Sequence, residues 1–180
     1  FITYTFHSKL NFFEEAAKYR AARAIWARLM KERFGAANPK SLFTRIFAGG
    51  GMEELTIQEP INNIIRETLV ALGVLLGSSQ GMGLCCYDEA YTIPSPEAQL
   101  IQLRTGQILA EESGIADVVD PLGGSYYLEA LTAELEKAVR KIMEDIESAG
   151  GMLKAIEQGR IQRECAEGAY ARQRRLDSGE

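Results

Sequence analysis

Phe1-Ile2-Thr3-Tyr4-Thr5-Phe6 sets bulky and hydroxyl side chains in strict alternation. That period of two predicts a strand with Thr3 and Thr5 on one face and Ile2, Tyr4 and Phe6 on the other. A helical period follows. Asn11 and Glu14 have the spacing of a capping box, and Phe13, Ala17, Ala21, Ala24 and Leu29 form a stripe that predicts a helix over 12–34, ended near Gly35 with Pro39 beyond. The same pair of signals comes twice more. Alternation over 41–47 predicts a second strand running into the glycine-rich turn Ala48-Gly49-Gly50-Gly51. After a loop, Pro60 opens a helix whose stripe is Ile61, Ile64, Ile65, Leu69, Leu72 and Leu76, with Gly77 as a left-handed cap. A short glycine-bearing strand over 78–84 precedes a helix that starts at Ser95-Pro96-Glu97 and closes at Gly114.

Three strand-then-helix units in succession predict an α/β fold with a parallel sheet and crossover helices. Such an array is half of an eight-stranded TIM (β/α)8 barrel or half of an open doubly wound sheet. Thr3, Thr5, Ser41, Thr44, Ser78 and Ser79 on the strand segments favour a barrel, since small polar walls leave room for a guest where branched aliphatics would fill the centre. Beyond Asp120-Pro121-Leu122-Gly123-Gly124 only helices are expected, near 132–149, 152–158 and 162–175. The expected organisation is therefore a barrel portion over 1–116 and an α-helical extension over 117–180. The opening at Phe1, already inside a strand pattern, marks the chain as a fragment.

Composition excludes several function classes. With 46% hydrophobic and 25% charged residues the chain reads as globular, and a net charge of −5 leaves no electrostatic footprint for nucleic acid or an anionic membrane. The cluster Arg172, Arg174 and Arg175 reads as a solvated helix face. The strongest apolar run, 69–76, is far short of the roughly 20 residues a bilayer span requires. Three cysteines, two of them neighbours, form no disulfide framework and point to a reducing, cytoplasmic setting. One histidine, His7, and no Cys-x-x-Cys spacing supply no metal site.

The segments Asn11-Phe12-Phe13-Glu14-Glu15-Ala16-Ala17-Lys18-Tyr19-Arg20-Ala21-Ala22-Arg23, Glu59-Pro60-Ile61-Asn62-Asn63-Ile64-Ile65-Arg66 and Ala110-Glu111-Glu112-Ser113-Gly114, with Asp120-Pro121-Leu122-Gly123-Gly124-Ser125-Tyr126-Tyr127, resemble the large, substrate-binding subunit of the methylmalonyl-CoA mutase family. Gly150-Gly151-Met152 and Ala155-Ile156-Glu157 continue the resemblance in one register. It implies a barrel that holds an acyl-CoA along its axis, a radical carbon-skeleton isomerase activity dependent on adenosylcobalamin, and a cobalamin-binding domain or subunit as partner, in a homo- or hetero-oligomer. The Asp-x-His-x-x-Gly segment that binds cobalt in that partner is absent from these residues.

Departures from the family pattern define the expected site. Phe47 stands where mutases acting on methylmalonyl-CoA have a histidine and Gly49 where they have a glutamine, two residues that donate hydrogen bonds to the substrate's thioester or carboxylate. The resemblance implies that Thr3, Phe47, Gly49, Gln80 and Gly81 meet the substrate and that Met52, Glu53, Cys85, Glu89 and Ala90 face the cofactor, Glu89 through the adenosyl ribose. Cys85 replaces an asparagine, and without a histidine as base it reads as a buried small residue and not a thiolate. Phe1 replaces an arginine expected near the CoA phosphates. His7 has no catalytic counterpart and is expected to be a structural or surface residue. No catalytic residue is assigned, and the acyl group is expected to be bulkier or less polar than methylmalonyl. The other class of function consistent with the residues is a non-catalytic assembly module of a mutase complex.

Overall fold

A computed structural model describes residues 2–179 of the chain. The three expected strand-helix units form, with shifted boundaries. Strand β1 (Thr3–Ser8) leads to α1 (Phe12–Glu32), β2 (Arg45–Gly50) to α2 (Asn63–Leu76), and β3 (Gly81–Gly83) to α3 (Pro96–Glu111). The strands make one parallel sheet in the order β1-β2-β3, with Thr3 opposite Arg45, Thr5 opposite Phe47, His7 opposite Gly49, and Phe47 and Gly49 opposite Gly81 and Gly83.

Several local expectations are corrected. Residues 41–44 are not strand: Pro39–Leu42 is a turn of 3-10 helix, because Pro39 fixes its own φ and the Asn38 side chain accepts from the Lys40 N–H at 3.0 Å. Conversely Ala48, Gly49 and Gly50 are not a turn but the last residues of β2. Gly77 has a right-handed φ of −78°, its carbonyl taken by the Arg23 guanidinium, and the left-handed residue is Ser78 at φ 59°. Asn11 does not cap α1; its amide donates to Glu14 at 2.7 Å instead. Ser95 and Gly114 behave as expected, the first accepting from Ala98 N–H at 3.1 Å and the second left-handed at φ 73°.

Both α1 and α2 lie against the same face of the sheet. Tyr19 of α1, Ile46 and Ala48 of β2, and Val70 and Val74 of α2 are fully buried together, with Phe6 and Met82 packed on them. Burying side chains of this size stabilises by about 1.5–3 kcal/mol each. The Tyr19 hydroxyl enters the core because Ser8 and Glu15 are there to bond it. The expected apolar stripe of α2 is on the wrong side: Ile61, Ile65 and Leu69 are exposed, while Asn63, Glu67, Val70, Ala71 and Val74 are buried. A helix apolar all round carries no periodic signal that chooses a face, and the sheet selects the side with the smaller residues.

Asn63 explains the Glu59-Pro60-Ile61-Asn62-Asn63 motif. It is fully buried, donates to the carbonyls of Thr56 and Tyr87 at 2.9 and 2.8 Å, and accepts from Thr56 N–H at 3.1 Å. One side chain thus joins the loop after β2 to the loop after β3.

On the outer side of α1, Ala16 and Ala17 pack against Leu128 of α4 (Tyr126–Ser148), and Arg20 reaches Asp120 and Glu129. The chain divides into two compact units, Phe1–Glu136 and Lys137–Glu180. The second holds the end of α4, α5 (Gly151–Glu157) and α6 (Arg160–Ser178), separated by left-handed Gly150 and Gly159. The helices expected beyond Asp120 are therefore present, each starting earlier than its apolar pattern suggested. No helix among the described residues is long and apolar enough to cross a membrane.

Replacing Asn63 by Ala removes the partner of three part-buried backbone groups of Thr56 and Tyr87, and a loss of about 2–4 kcal/mol is expected. Asn62→Ala, whose side chain bonds only exposed Glu59, should cost under about 0.5 kcal/mol. Urea unfolding of the two variants checks the contrast.

Candidate active site

With Tyr4, Phe6 and Ser8 turned to the helices, Thr3, Thr5 and His7 occupy the opposite face of β1, and all three are exposed. Arg45, Phe47 and Gly49 continue that face on β2, Gly81 and Gly83 on β3. Arg45 and Phe47 are exposed on it, and no large aliphatic side chain stands among these strand positions.

Phe47 dominates this face. A Cβ placed on Gly81 would lie 2.7 Å from the ring's Cδ2, and one on Gly83 would lie 3.1 Å from Cζ, so the ring is spread over β3 where two glycines make room. Gly49 is fixed differently: a Cβ there would run into the Gly83 carbonyl oxygen, which is backbone and cannot yield. Toward the carboxyl ends, the β2–β3 half of the face is therefore an aromatic plate on a glycine floor, and its one hydrogen-bonding side chain, Arg45, stands at the amino end opposite Thr3. Of the hydroxyl residues expected to line a cavity, Thr3 and Thr5 do stand on the open face. The others do not: Thr44 is buried, Ser41 lies in the turn before β2, left-handed Ser78 precedes β3, and Ser79 is bonded to the Ile46 and Gly81 carbonyls. Room on this face comes from glycines.

The expected substrate residues Thr3, Phe47, Gly49 and Gly81 thus share one surface, while Gln80 stands apart. Its side-chain oxygen accepts from Ile46 N–H at 2.7 Å and its own N–H bonds the Ile46 carbonyl, so the amide ties the start of β3 to β2. Phe1 lies outside the described residues.

The expected cofactor residues collect where β2 and β3 end. Met52 and Glu53 lie in a 3-10 turn directly after β2 and are exposed. Cys85, Glu89 and Ala90 belong to the loop after β3, in which Glu89 accepts from Cys86 N–H at 2.6 Å and Asp88 from Ser95 N–H at 2.9 Å. Burial first, then the charges of Glu67 and Glu89, push the Cys85 thiol up to about 12, so it stays protonated and donates weakly to the Gly50 carbonyl at 3.4 Å. Cys85, expected to be buried, is half-buried, and Cys86 is the buried one of the pair.

Sequence reasoning missed Glu67. Only 3% exposed on α2, it accepts from Cys85 N–H at 2.8 Å through Oε2, while Oε1 is buried without a hydrogen-bond partner. Gly50 gives it space, since a Cβ there would overlap the carboxylate. Burial, with smaller contributions from Glu89 and Glu54, outweighs the Cys85 bond and raises its pKa from 4.5 to about 7. A signal existed: Glu67 is four residues from Asn63, on one helix side. A groove of about 540 Å3 at the amino ends of the strands is mostly apolar, lined by Ile2, Trp26, Leu29, Phe34 and Phe43 with Lys40, Ser41 and Arg45 among its polar residues.

The family model described as methylmalonyl-CoA mutase matches residues 2–180. The chain belongs to the methylmalonyl-CoA mutase family. It is 48% identical over 179 residues to the 2-hydroxyisobutanoyl-CoA mutase large subunit of Aquincola tertiaricarbonis, covering 99% of this chain and 32% of that one. It is 41% identical over 179 residues to a methylmalonyl-CoA mutase of Cereibacter sphaeroides, covering 99% and 25%, and 40% identical over 170 residues to the mitochondrial methylmalonyl-CoA mutase of Homo sapiens, covering 94% and 23%. The chain spans a quarter to a third of the length of these relatives.

The shift at Glu67 sets a pH dependence. Because its folded-state pKa lies above the unfolded value, the native state holds the extra proton, and stability falls as pH rises from about 4.5 through 7. The drop across that window should be on the order of 2 kcal/mol. Glu67→Gln, which keeps an oxygen for Cys85 N–H, should flatten it, as read by denaturant midpoints from pH 5 to 8.

Proposed function

We propose that this chain is part of the substrate-binding subunit of an adenosylcobalamin-dependent acyl-CoA mutase, supplying three strand-helix units of a TIM barrel, and that its substrate is an acyl-CoA other than methylmalonyl-CoA. The observation that carries the substrate reading is the Phe47 ring over Gly81 and Gly83 beside a Gly49 that admits no side chain. The barrel reading is supported by strand order and helix placement. Successive strands are added in one direction and α1 and α2 sit on one face, whereas a doubly wound sheet puts helices on both.

In this reading the open face looks into the barrel, and the turns after β2 and β3 lie at its carboxyl end, where barrel enzymes build their sites. When bound there, adenosylcobalamin supplies the radical chemistry of the rearrangement. The residues present suit it: exposed Met52 offers an apolar contact for a large ring system, and the Glu89 carboxylate, held by Cys86 N–H, can accept from ribose hydroxyls. Cobalt ligation falls to a separate domain or subunit, in keeping with the name large subunit carried by the Aquincola tertiaricarbonis relative. Phe47 and the glycines receive the acyl chain and exclude water from it, which protects a reactive intermediate from stray hydrogen donors. A cytoplasmic location accords with three unpaired cysteines.

Methylmalonyl and succinyl groups carry a carboxylate, and an aromatic plate on glycine offers it no donor. The full-length enzyme, supplied with its cobalamin partner, should isomerise a branched apolar acyl-CoA such as isobutyryl-CoA with a kcat/KM at least about 100-fold above that for succinyl-CoA, about the discrimination a site gains when a buried polar group is left unpaired. Phe47→His should not restore succinyl-CoA turnover, since position 49 still cannot carry a donor. Rapid interconversion of succinyl-CoA and methylmalonyl-CoA by the unaltered enzyme, followed in a coupled assay, would falsify the substrate assignment.

A further inference from the structure

Whatever its acyl chain, an acyl-CoA brings a thioester carbonyl, and an acceptor enclosed in a dry site costs free energy unless a donor meets it. On β2 and β3 the open face has no donor to give: Phe47, Gly49, Gly81 and Gly83 are all its side-chain positions there apart from Arg45, which opposes Thr3 at the amino end of the strands. Polar side chains on β1 are Thr3, Thr5 and His7, of which His7 is nearest the carboxyl end.

His7 pairs in register with Gly49, so its imidazole stands beside a β2 position where the Gly83 carbonyl admits no side chain. It is exposed, and no hydrogen bond or ion pair engages the ring among the described residues. Its backbone is held: the carbonyl accepts from Lys18 Nζ at 2.8 Å, Lys18 is paired with Glu15 at 2.5 Å, and the next residue, Ser8, is bonded to Tyr19 in the core. The backbone thus fixes where the ring starts from, and its N–H is committed to no partner among the described residues. Resting on the mutase reading above, we infer that His7 is a substrate-binding residue that donates a hydrogen bond to the thioester carbonyl oxygen of the acyl-CoA, so that donor capacity absent from positions 47 and 49 of β2 is supplied across the strand pair from β1. Neutral imidazole carries one N–H donor and suffices for this.

The test uses the full-length enzyme without adenosylcobalamin, so that isobutyryl-CoA labelled with 13C at the thioester carbonyl binds without reacting, and reads the carbonyl stretch by difference infrared spectroscopy. Binding to the unaltered enzyme should move the stretch to lower frequency. His7→Ala should abolish that movement, and His7→Asn, which keeps an N–H donor, should retain part of it. With the cofactor restored, kcat/KM for the alanine variant should fall by about tenfold, the equivalent of one neutral hydrogen bond, and the asparagine variant should recover some of the loss. A His7→Ala enzyme that binds the probe with the stretch moved as in the parent overturns the assignment of His7 and leaves the mutase reading standing. Failure of the unaltered enzyme to bind isobutyryl-CoA or any other acyl-CoA overturns the mutase reading, and His7's role with it.

Discussion

The close approach of β2 to β3 governs the open side of the sheet. At Gly49 the Gly83 carbonyl occupies the space a Cβ would need, so the strand pair holds its geometry only while position 49 is glycine. Two further positions follow suit: Gly81 and Gly83 leave β3 bare, and bareness lets the Phe47 ring lie down across the neighbouring strand instead of projecting from its own. A single Cβ on Gly81 would lift the ring. The glycines therefore act as a set, and the surface they make is flat, apolar and without donors.

The other face obeys a different rule. There Ile46 and Ala48 accept two helices at once, and they are met by the single large residue Tyr19 of α1 and by the small branched Val70 and Val74 of α2. Close packing of this kind rewards fit over size. It also explains why α2 turns the larger side chains Ile65 and Leu69 away from the sheet. Three parallel strands with helices on one side and an unclothed opposite side present a second surface that a complete α/β domain would bury.

The alternation of strand and helix could be read from sequence because it rests on local periodicity, and each of the three units exists. The ends of β2 could not, because Ala48-Gly49-Gly50 has turn chemistry and becomes strand only through pairing with β1 and β3, a long-range contact that no local pattern contains. The face of α2 was hidden for a related reason: with apolar residues on every side, only the partner decides. Thr3 and Thr5 fell on the expected face because β1 alternates cleanly. Gln80 was expected at the substrate, yet its amide closes the ladder at Ile46, a use that spacing alone cannot distinguish. Glu67 escaped notice since a charged residue within a helix normally means a solvated face, and its burial depends on Gly50 two elements away.

The loops at the carboxyl ends are held by polar side chains reaching backbone, and this has a mechanical consequence. Asn63 bonds Thr56 and Tyr87, Glu67 bonds Cys85, Glu89 bonds Cys86, and Asp88 bonds Ser95. Each bond is directional, whereas apolar packing tolerates sliding. Loops tied in this way keep their shape whether or not anything lies above them, so the position of Glu89 is set before a ligand arrives. The cost falls on Glu67, a buried carboxylate with one oxygen unpaired and two other acids raising its proton affinity. Holding it there is unfavourable for the fold, and the geometry it buys is confined to the loop that follows β3.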